Sequence, residues 1–268
     1  MAGRLAILSG SGALPVALSS AHPHAYCVGF DGVAHALARV DSTHAFEEMG
    51  GLFATLKAAG VTEVVLAGGM SRPALDPARF DAVMRDLAPR LVAAMQGGDD
   101  GLLRFVIGVF EEQGFAVRGA HELLPDLTAA PGLLVGPEPS EVAMADALQA
   151  ADILRALGPL DIGQGAVVAG GLCLGIETLQ GTDALLRFVA QTPAALRPKA
   201  PGVLVKYPKA GQDLRVDMPA IGPDTVRNVA QAGLGGIVIL PGQVVVLERA
   251  DLIAAAEAAA LFVLAREF

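Results

Sequence analysis

Residues 202–248 read GVLVKYPKAGQDLRVDMPAIGPDTVRNVAQAGLGGIVILPGQVVVLE, and the alternation within them decides the fold class. Gly202 to Lys206 is a short apolar run, which predicts a buried strand ending in a lysine. A loop from Tyr207 to Gln212 carries a second lysine, Lys209. From Asp213 to Met218 charged and apolar residues alternate. That pattern predicts a further strand, with Asp213, Arg215 and Asp217 on one face and Leu214, Val216 and Met218 on the other. Pro219 and Gly222-Pro223 stop it. Asp224 then stands at a helix start, ahead of Thr225 to Gly233. Apolar runs at Gly236 to Leu240 and Val244 to Leu247 predict two more strands. Strands alternating with a helix make an α/β domain.

The same stretch is chemically dense. Lys206, Lys209, Asp213, Arg215, Asp217 and Asp224 all fall within residues 206–224 of a chain that is only 18% charged. They sit on predicted strand ends, loops and a helix N-terminus, where anions and metal ions are commonly held. Taken one by one, each has a plainer explanation, as the solvated face of an edge strand or a helix cap.

Towards the N-terminus the alternation continues. Leu5 to Ser9 predicts a strand, followed by the turn Gly10-Ser11-Gly12-Ala13-Leu14-Pro15 and a small-residue helix. Such a turn can aim backbone N–H groups at phosphate. It is not the dinucleotide pattern GxGxxG, because Pro15 occupies the third glycine's place. Ala25 to Phe30 predicts a second strand, followed by Asp31. A helix over Phe46 to Ala59 ends at Gly60. Val61 to Ala67 predicts a third strand, closed by Gly68-Gly69-Met70-Ser71-Arg72-Pro73. Gly68 and Gly69 would admit a ligand close to the backbone, and Arg72 could hold a phosphate. Helices are expected over Phe80 to Met95 and Leu102 to Gln113, broken by a glycine loop with Asp99 and Asp100. A strand begins at Ala116.

Residues 125–139 contain four prolines and two glycines, which predicts a linker. The expected organisation is a Rossmann-like parallel α/β domain over 1–124 and a second α/β domain with a mixed sheet over 140–268, with a cleft between them. In the second domain Glu141 to Leu157 predicts a helix. Ala166 to Glu177 predicts a hairpin turned at Gly170-Gly171, and Gly181-Thr182-Asp183 opens a helix. Glu177 and Asp183 could converge with the charged cluster of residues 206–224. A helix from Asp251 and a strand over Leu261 to Ala265 complete the chain.

Composition narrows the function. The 268 residues can bury a large core, and 53% of them are hydrophobic. Trp is absent and Tyr occurs twice, so recognition by broad aromatic stacking is not expected. Nineteen Lys and Arg against 28 Asp and Glu give a net charge of −9. No basic stripe marks a nucleic-acid partner. Cys27 and Cys173 lie far apart in apolar runs, with neither metal spacing nor a disulfide framework, which suits a reducing cytoplasm. The first 21 residues resemble a signal peptide, but Gly10-Ser11-Gly12 and Pro15 break the apolar run. No stretch is long and apolar enough to span a bilayer. The mean hydropathy of +0.52 fits work close to lipid or an Ala-rich α/β core. The five histidines are scattered, and no serine, cysteine or P-loop motif appears.

Several motifs together resemble a known family. They are Gly202-Val203-Leu204-Val205-Lys206, Lys209 with Gly211-Gln212-Asp213, and Asp217-Met218-Pro219-Ala220-Ile221-Gly222-Pro223. Further matches are Gly10 to Pro15, Gly158-Pro159-Leu160-Asp161-Ile162-Gly163-Gln164 and Glu177 to Asp183. The chain is similar over nearly its whole length to the UDP-2,3-diacylglucosamine pyrophosphatases of lipid A biosynthesis, of the LpxI type unrelated to calcineurin-like phosphoesterases. The resemblance implies a Mg²⁺-dependent hydrolase that yields 2,3-diacylglucosamine 1-phosphate and UMP, with two domains closing around the lipid. It implies a catalytic aspartate in the C-terminal domain, either Asp224 or Asp217. Asp217 and Asp224, with Asp213 as orienter, would serve the metal, and Lys206, Lys209 and Arg215 the phosphates. Gly10, Ser11, Gly12, Gly68, Gly69, Arg72, Gln164, Thr182, Lys209 and Gln212 would line the substrate. The setting implied is cytoplasmic, with peripheral contact with the inner membrane and a homo-oligomer both compatible. A non-hydrolytic nucleotide or dinucleotide binder resting on Gly10 to Gly12 is the main alternative. A structural partner in a membrane-associated assembly is a third.

Overall fold

The computed structural model describes residues 3–70, 74–96 and 98–268. Arg72 lies outside them. The chain divides into two compact units, one of residues 1–125 with 213–217 and one of residues 126–212 with 218–268.

The first unit is a three-layer α/β structure. Its strands are β1 (Arg4–Ser9), β2 (Tyr26–Phe30), β3 (Ser42–His44), β4 (Val61–Ala67) and β5 (Ala116–Arg118). They form one sheet in the order β3-β2-β1-β4-β5, parallel throughout. Buried parallel strands read as continuous apolar runs because helices cover both faces. Ala6, Ile7, Leu8, Val28, Val64 and Val65 are accordingly withdrawn from water. The helices are α1 (Leu14–Ala21), α2 (Met49–Ala58), α3 (Ala82–Gln96), α4 (Gly98–Glu112) and the short α5 (Ala120–Leu123). Phe53, Phe110 and Phe115 pack together where α2 and α4 meet the sheet. Asp99 and Asp100, expected in a loop ahead of a helix, lie within α4. Asp81 accepts from Gly50 N at 2.7 Å and Met84 N at 2.7 Å, so one carboxylate serves the first turns of both α2 and α3.

The second unit holds β6 (Gly132–Val135), α6 (Glu141–Leu157), β7 (Gly165–Ala169), β8 (Leu172–Ile176), α7 (Gly181–Ala190), β9 (Val203–Lys206), β10 (Ala220–Ile221), α8 (Pro223–Gln231), β11 (Gly236–Ile239), β12 (Val245–Val246), α9 (Arg249–Ala258) and β13 (Phe262–Ala265). Its main sheet is mixed, in the order β6-β13-β11-β9-β7-β8. The strands β9, β11 and β13 run parallel, while β6 and β7 are antiparallel to their neighbours. A separate parallel pair joins β10 and β12. Alternation sorts the core. Leu204, Ile237 and Ile239 pack with residues of α7, α8 and α9, whereas Val203, Val205 and Val238 pack with Ala147, Ala150, Ala151 and Leu154 of α6. The hairpin of β7 and β8 turns at Gly170-Gly171, as expected. Both glycine N–H groups donate to the buried Asp146 carboxylate, at 2.9 and 2.7 Å.

Two further expectations are corrected. Residues 125–139 are not linker throughout, because Gly132–Val135 forms β6 and pairs with β13. Residues 213–218 are not a strand. Val216 N and Asp217 N both donate to Asp213 O, at 3.2 and 3.1 Å, and Arg215 N donates to Asp213 Oδ1 at 3.1 Å. These bonds curl the segment into a turn, two of them to the Asp213 main-chain carbonyl and one to its side chain, which competes for a nearby backbone donor.

Candidate functional site

In the first unit the two glycine turns come together. The chain leaves β1 towards β2 on one side of the sheet, and β4 lies on the other side. The gap between β1 and β4 is thus the switch point at which open α/β sheets receive ligands. Gly10 N donates to Ala67 O at 2.7 Å, Ser11 N to Gly69 O at 2.8 Å and Gly69 N to Ser11 O at 3.0 Å. Ser11 Oγ also donates to Gly69 O, at 3.0 Å. The backbones are so close that a Cβ on Gly10 would lie 2.5 Å from Gly69 O. Gly68 has φ +92°, and its Cβ would lie 2.3 Å from Ser11 O. Packing alone therefore requires Gly10 and Gly68. Gly12, at φ +93°, has nothing within 4 Å of a notional Cβ. Gly68→Ala should cost about 2 kcal/mol or more, from backbone strain and overlap together. Gly12→Ala should cost only the strain, about 1–2 kcal/mol. Denaturant unfolding of the two variants checks the difference.

Arg215 and Asp213 belong to the same unit. The Arg215 guanidinium grips both Asp213 oxygens, with Nη2 donating to Oδ2 at 2.7 Å and Nε to Oδ1 at 3.0 Å. Its Nη1 reaches Glu111 Oε1 at 2.8 Å. Val216 packs against the core of this unit. The Arg215 hydrogen bond holds the Asp213 carboxyl below its ordinary value of 3.8. The sign follows from linkage. A carboxyl with a lowered folded pKa contributes stability that is complete above pH 3.8 and is lost as the pH falls through the folded value. Arg215→Ala should abolish that acid-side stabilisation, which unfolding at stepped pH below 4 reads directly.

In the second unit the residues expected to bind substrate fall into small groups. Lys206 ends β9 and is 3% exposed. Its Nζ donates to Glu177 Oε2 at 2.7 Å and to Thr182 Oγ1 at 2.8 Å. Thr182 Oγ1 donates to the same Glu177 oxygen at 3.1 Å. Glu177 follows β8 and Thr182 lies in the first turn of α7, so three elements meet at one ion pair. Beyond β9, Tyr207 N donates to Gln164 O at 2.9 Å and Lys209 N to Gln212 Oε1 at 2.9 Å. The Lys209 ammonium is paired with Asp161, which is held at φ +58°. Asp224 lies in the first turn of α8 with its side chain 82% exposed, paired with Arg227 three residues on. Also on α8, Asn228 Nδ2 donates to Asp183 Oδ1 at 2.9 Å, which ties that helix to the start of α7.

Glu177, Thr182 and Asp183 thus stand where chain leaves the carboxyl end of β8 and enters α7, whereas Asp224 follows β10, a strand of the separate two-stranded sheet, at the start of α8. The signal for Glu177 in the sequence was its position at a strand end. Asp161 lay within the motif at 158–164, and Arg227 had no signal beyond its type. Among the described residues, no three His, Cys, Asp or Glu side chains form a group able to hold a metal ion. Asp213, with both oxygens on Arg215, is poorly suited to be an inner ligand. Asp224 is exposed and offers a single carboxylate, one oxygen of which accepts from Arg227; Mg²⁺ commonly takes one or two carboxylates and completes its shell with water and phosphate oxygens.

Similarity to known proteins now bears on this arrangement. The family model of the LpxI N-terminal domain matches residues 4–127, and that of the LpxI C-terminal domain matches residues 130–264. The chain belongs to the LpxI family. It is 42% identical over 276 residues to the UDP-2,3-diacylglucosamine pyrophosphatase LpxI of Caulobacter vibrioides (strain ATCC 19089 / CIP 103742 / CB 15), covering 97% of this chain and 96% of that protein. Both α/β units therefore belong to one LpxI framework, and the motifs at 10–15, 158–164, 177–183 and 202–223 all lie inside the matched domains. Among the described residues of this LpxI-family chain, no helix is long and apolar enough to cross a membrane.

Proposed function

We propose that the protein hydrolyses the diphosphate of UDP-2,3-diacylglucosamine. Water enters, the P–O–P bridge breaks, and UMP and 2,3-diacylglucosamine 1-phosphate leave. The observation that carries this reading is the 42% identity to a pyrophosphatase of that name, which extends through both domains. The residues suit the chemistry. Diphosphates resist attack because their negative charge repels a nucleophile, and catalysis consists largely of neutralising that charge in a fixed geometry. Lys206 and Lys209, each already paired with a carboxylate, present ammonium N–H donors at the end of β9 and in the loop after it. Asp224, at a helix start and open to solvent, is the catalytic aspartate in preference to Asp217. Bound Mg²⁺ would neutralise the diphosphate and polarise a water, with Asp224 as its protein ligand. The turn Gly10-Ser11-Gly12 beside Gly69 is the phosphate or nucleotide contact of the first unit, approached at Gly12, because the Gly10, Ser11 and Gly69 N–H groups are already bonded to main-chain carbonyls. Gln164 and Gln212 fix the loop that carries Lys209. The setting is cytoplasmic, with the lipid substrate met at the inner-membrane surface.

The test is incubation of the purified chain with a UDP-linked diacyl sugar, with and without Mg²⁺, followed by detection of UMP and the lipid 1-phosphate. Metal-dependent release of both is expected. Intact substrate under all conditions rules the reading out, and release that survives exhaustive chelation removes Mg²⁺ from it.

A further inference from the structure

The ion pair at the end of β9 stands where the fold alone needs only apolar residues. Val203, Leu204 and Val205 before it are fully buried. An apolar pair of similar volume would serve packing as well or better, because desolvating two charges cancels most of their attraction. The backbone nevertheless makes room for the charges: a Cβ on Gly165 would lie 2.4 Å from Glu177 Oε2 and 3.4 Å from Lys206 Cδ. The pair also sits at the carboxyl ends of β8 and β9, the edge at which α/β sheets receive ligands.

The hydrogen bonds give the pair a direction. An ammonium has three N–H donors. Two are committed here, to Glu177 and Thr182. The Thr182 hydroxyl accepts from Lys206 and donates to Glu177, so its own orientation is set. With two donors fixed, the third N–H has one direction left. We infer that Glu177 and Thr182 are positioning residues that aim the remaining Lys206 N–H at a phosphate oxygen of the substrate. A donor held this way needs no reorganisation when charge develops, which a freely rotating lysine cannot offer. The inference rests on the diphosphatase reading above.

The experiment compares wild type with Thr182→Val, Thr182→Ser and Glu177→Gln in the full chain, using the UDP-linked diacyl sugar. Thr182→Val keeps the ion pair and the side-chain volume but removes the hydroxyl. It should lower kcat about 10-fold with KM within about two-fold. Thr182→Ser, which restores the hydroxyl, should recover kcat to within about two-fold of wild type. Glu177→Gln keeps an acceptor without the charge and should lose more than Thr182→Val. Melting curves establish that each variant is folded. Wild-type kcat in Thr182→Val, or a folded Thr182→Ser as slow as the valine variant, overturns the positioning role. If wild type itself releases no UMP, the diphosphatase reading fails and this inference goes with it.

Discussion

Asp224→Ala should lower turnover by at least about 100-fold, the scale of losing a positioned acid–base or charged group, while leaving the melting temperature almost unchanged. The carboxylate is 82% exposed, and its partner Arg227 is a surface residue on the same helix. Surface pairs of this kind contribute little to stability. The start of α8 does not depend on it, since Thr225 Oγ1 accepts from Gly222 N at 3.2 Å and Pro223 opens the helix. Substrate should still bind, because the lysines and glycine turns remain. Steady-state kinetics, substrate binding to the inactive variant and a thermal melt together decide it. Turnover near the wild-type rate would take Asp224 out of the mechanism and return Asp217 to consideration.

The second large effect is on stability. Glu177→Ala should destabilise the second unit by about 3–5 kcal/mol, because it leaves the Lys206 ammonium buried without its counter-charge. The side chains are 4% and 13% exposed, so water makes up little of the loss. The double variant Lys206→Met/Glu177→Leu should regain most of that stability, since a well-packed apolar pair removes the desolvation penalty altogether. It should not regain turnover. Denaturant unfolding of the single and double variants reads the first part, and UMP release the second. A cost below about 1 kcal/mol for Glu177→Ala would mean that the pair behaves like a solvated surface bridge.

These effects divide along what each residue's neighbours are. Elements stabilised within themselves were legible from sequence alone. The helix expected over Glu141 to Leu157 is α6 with the same bounds, because its apolar period and the Ser140 cap are local features. The β7–β8 hairpin followed from two adjacent glycines. The alternation at 213–218 misled because a period of two is equally compatible with a turn, here one in which the Asp213 side chain takes the N–H two residues on and its carbonyl those three and four on. The strand Gly132–Val135 was hidden among prolines, since it exists only by pairing with β13, some 130 residues later in the chain.

The α/β class, the two-part organisation, the glycine turns and the LpxI resemblance can all be read from neighbouring residues and short motifs. Which charges are spent on one another depends on packing between distant parts of the chain. Glu177 and Lys206 are 29 residues apart, as Asp161 and Lys209 are 48. Such pairings follow from how strands are ordered in the sheet, and strand order is set by the burial of whole faces rather than by any short run of residues.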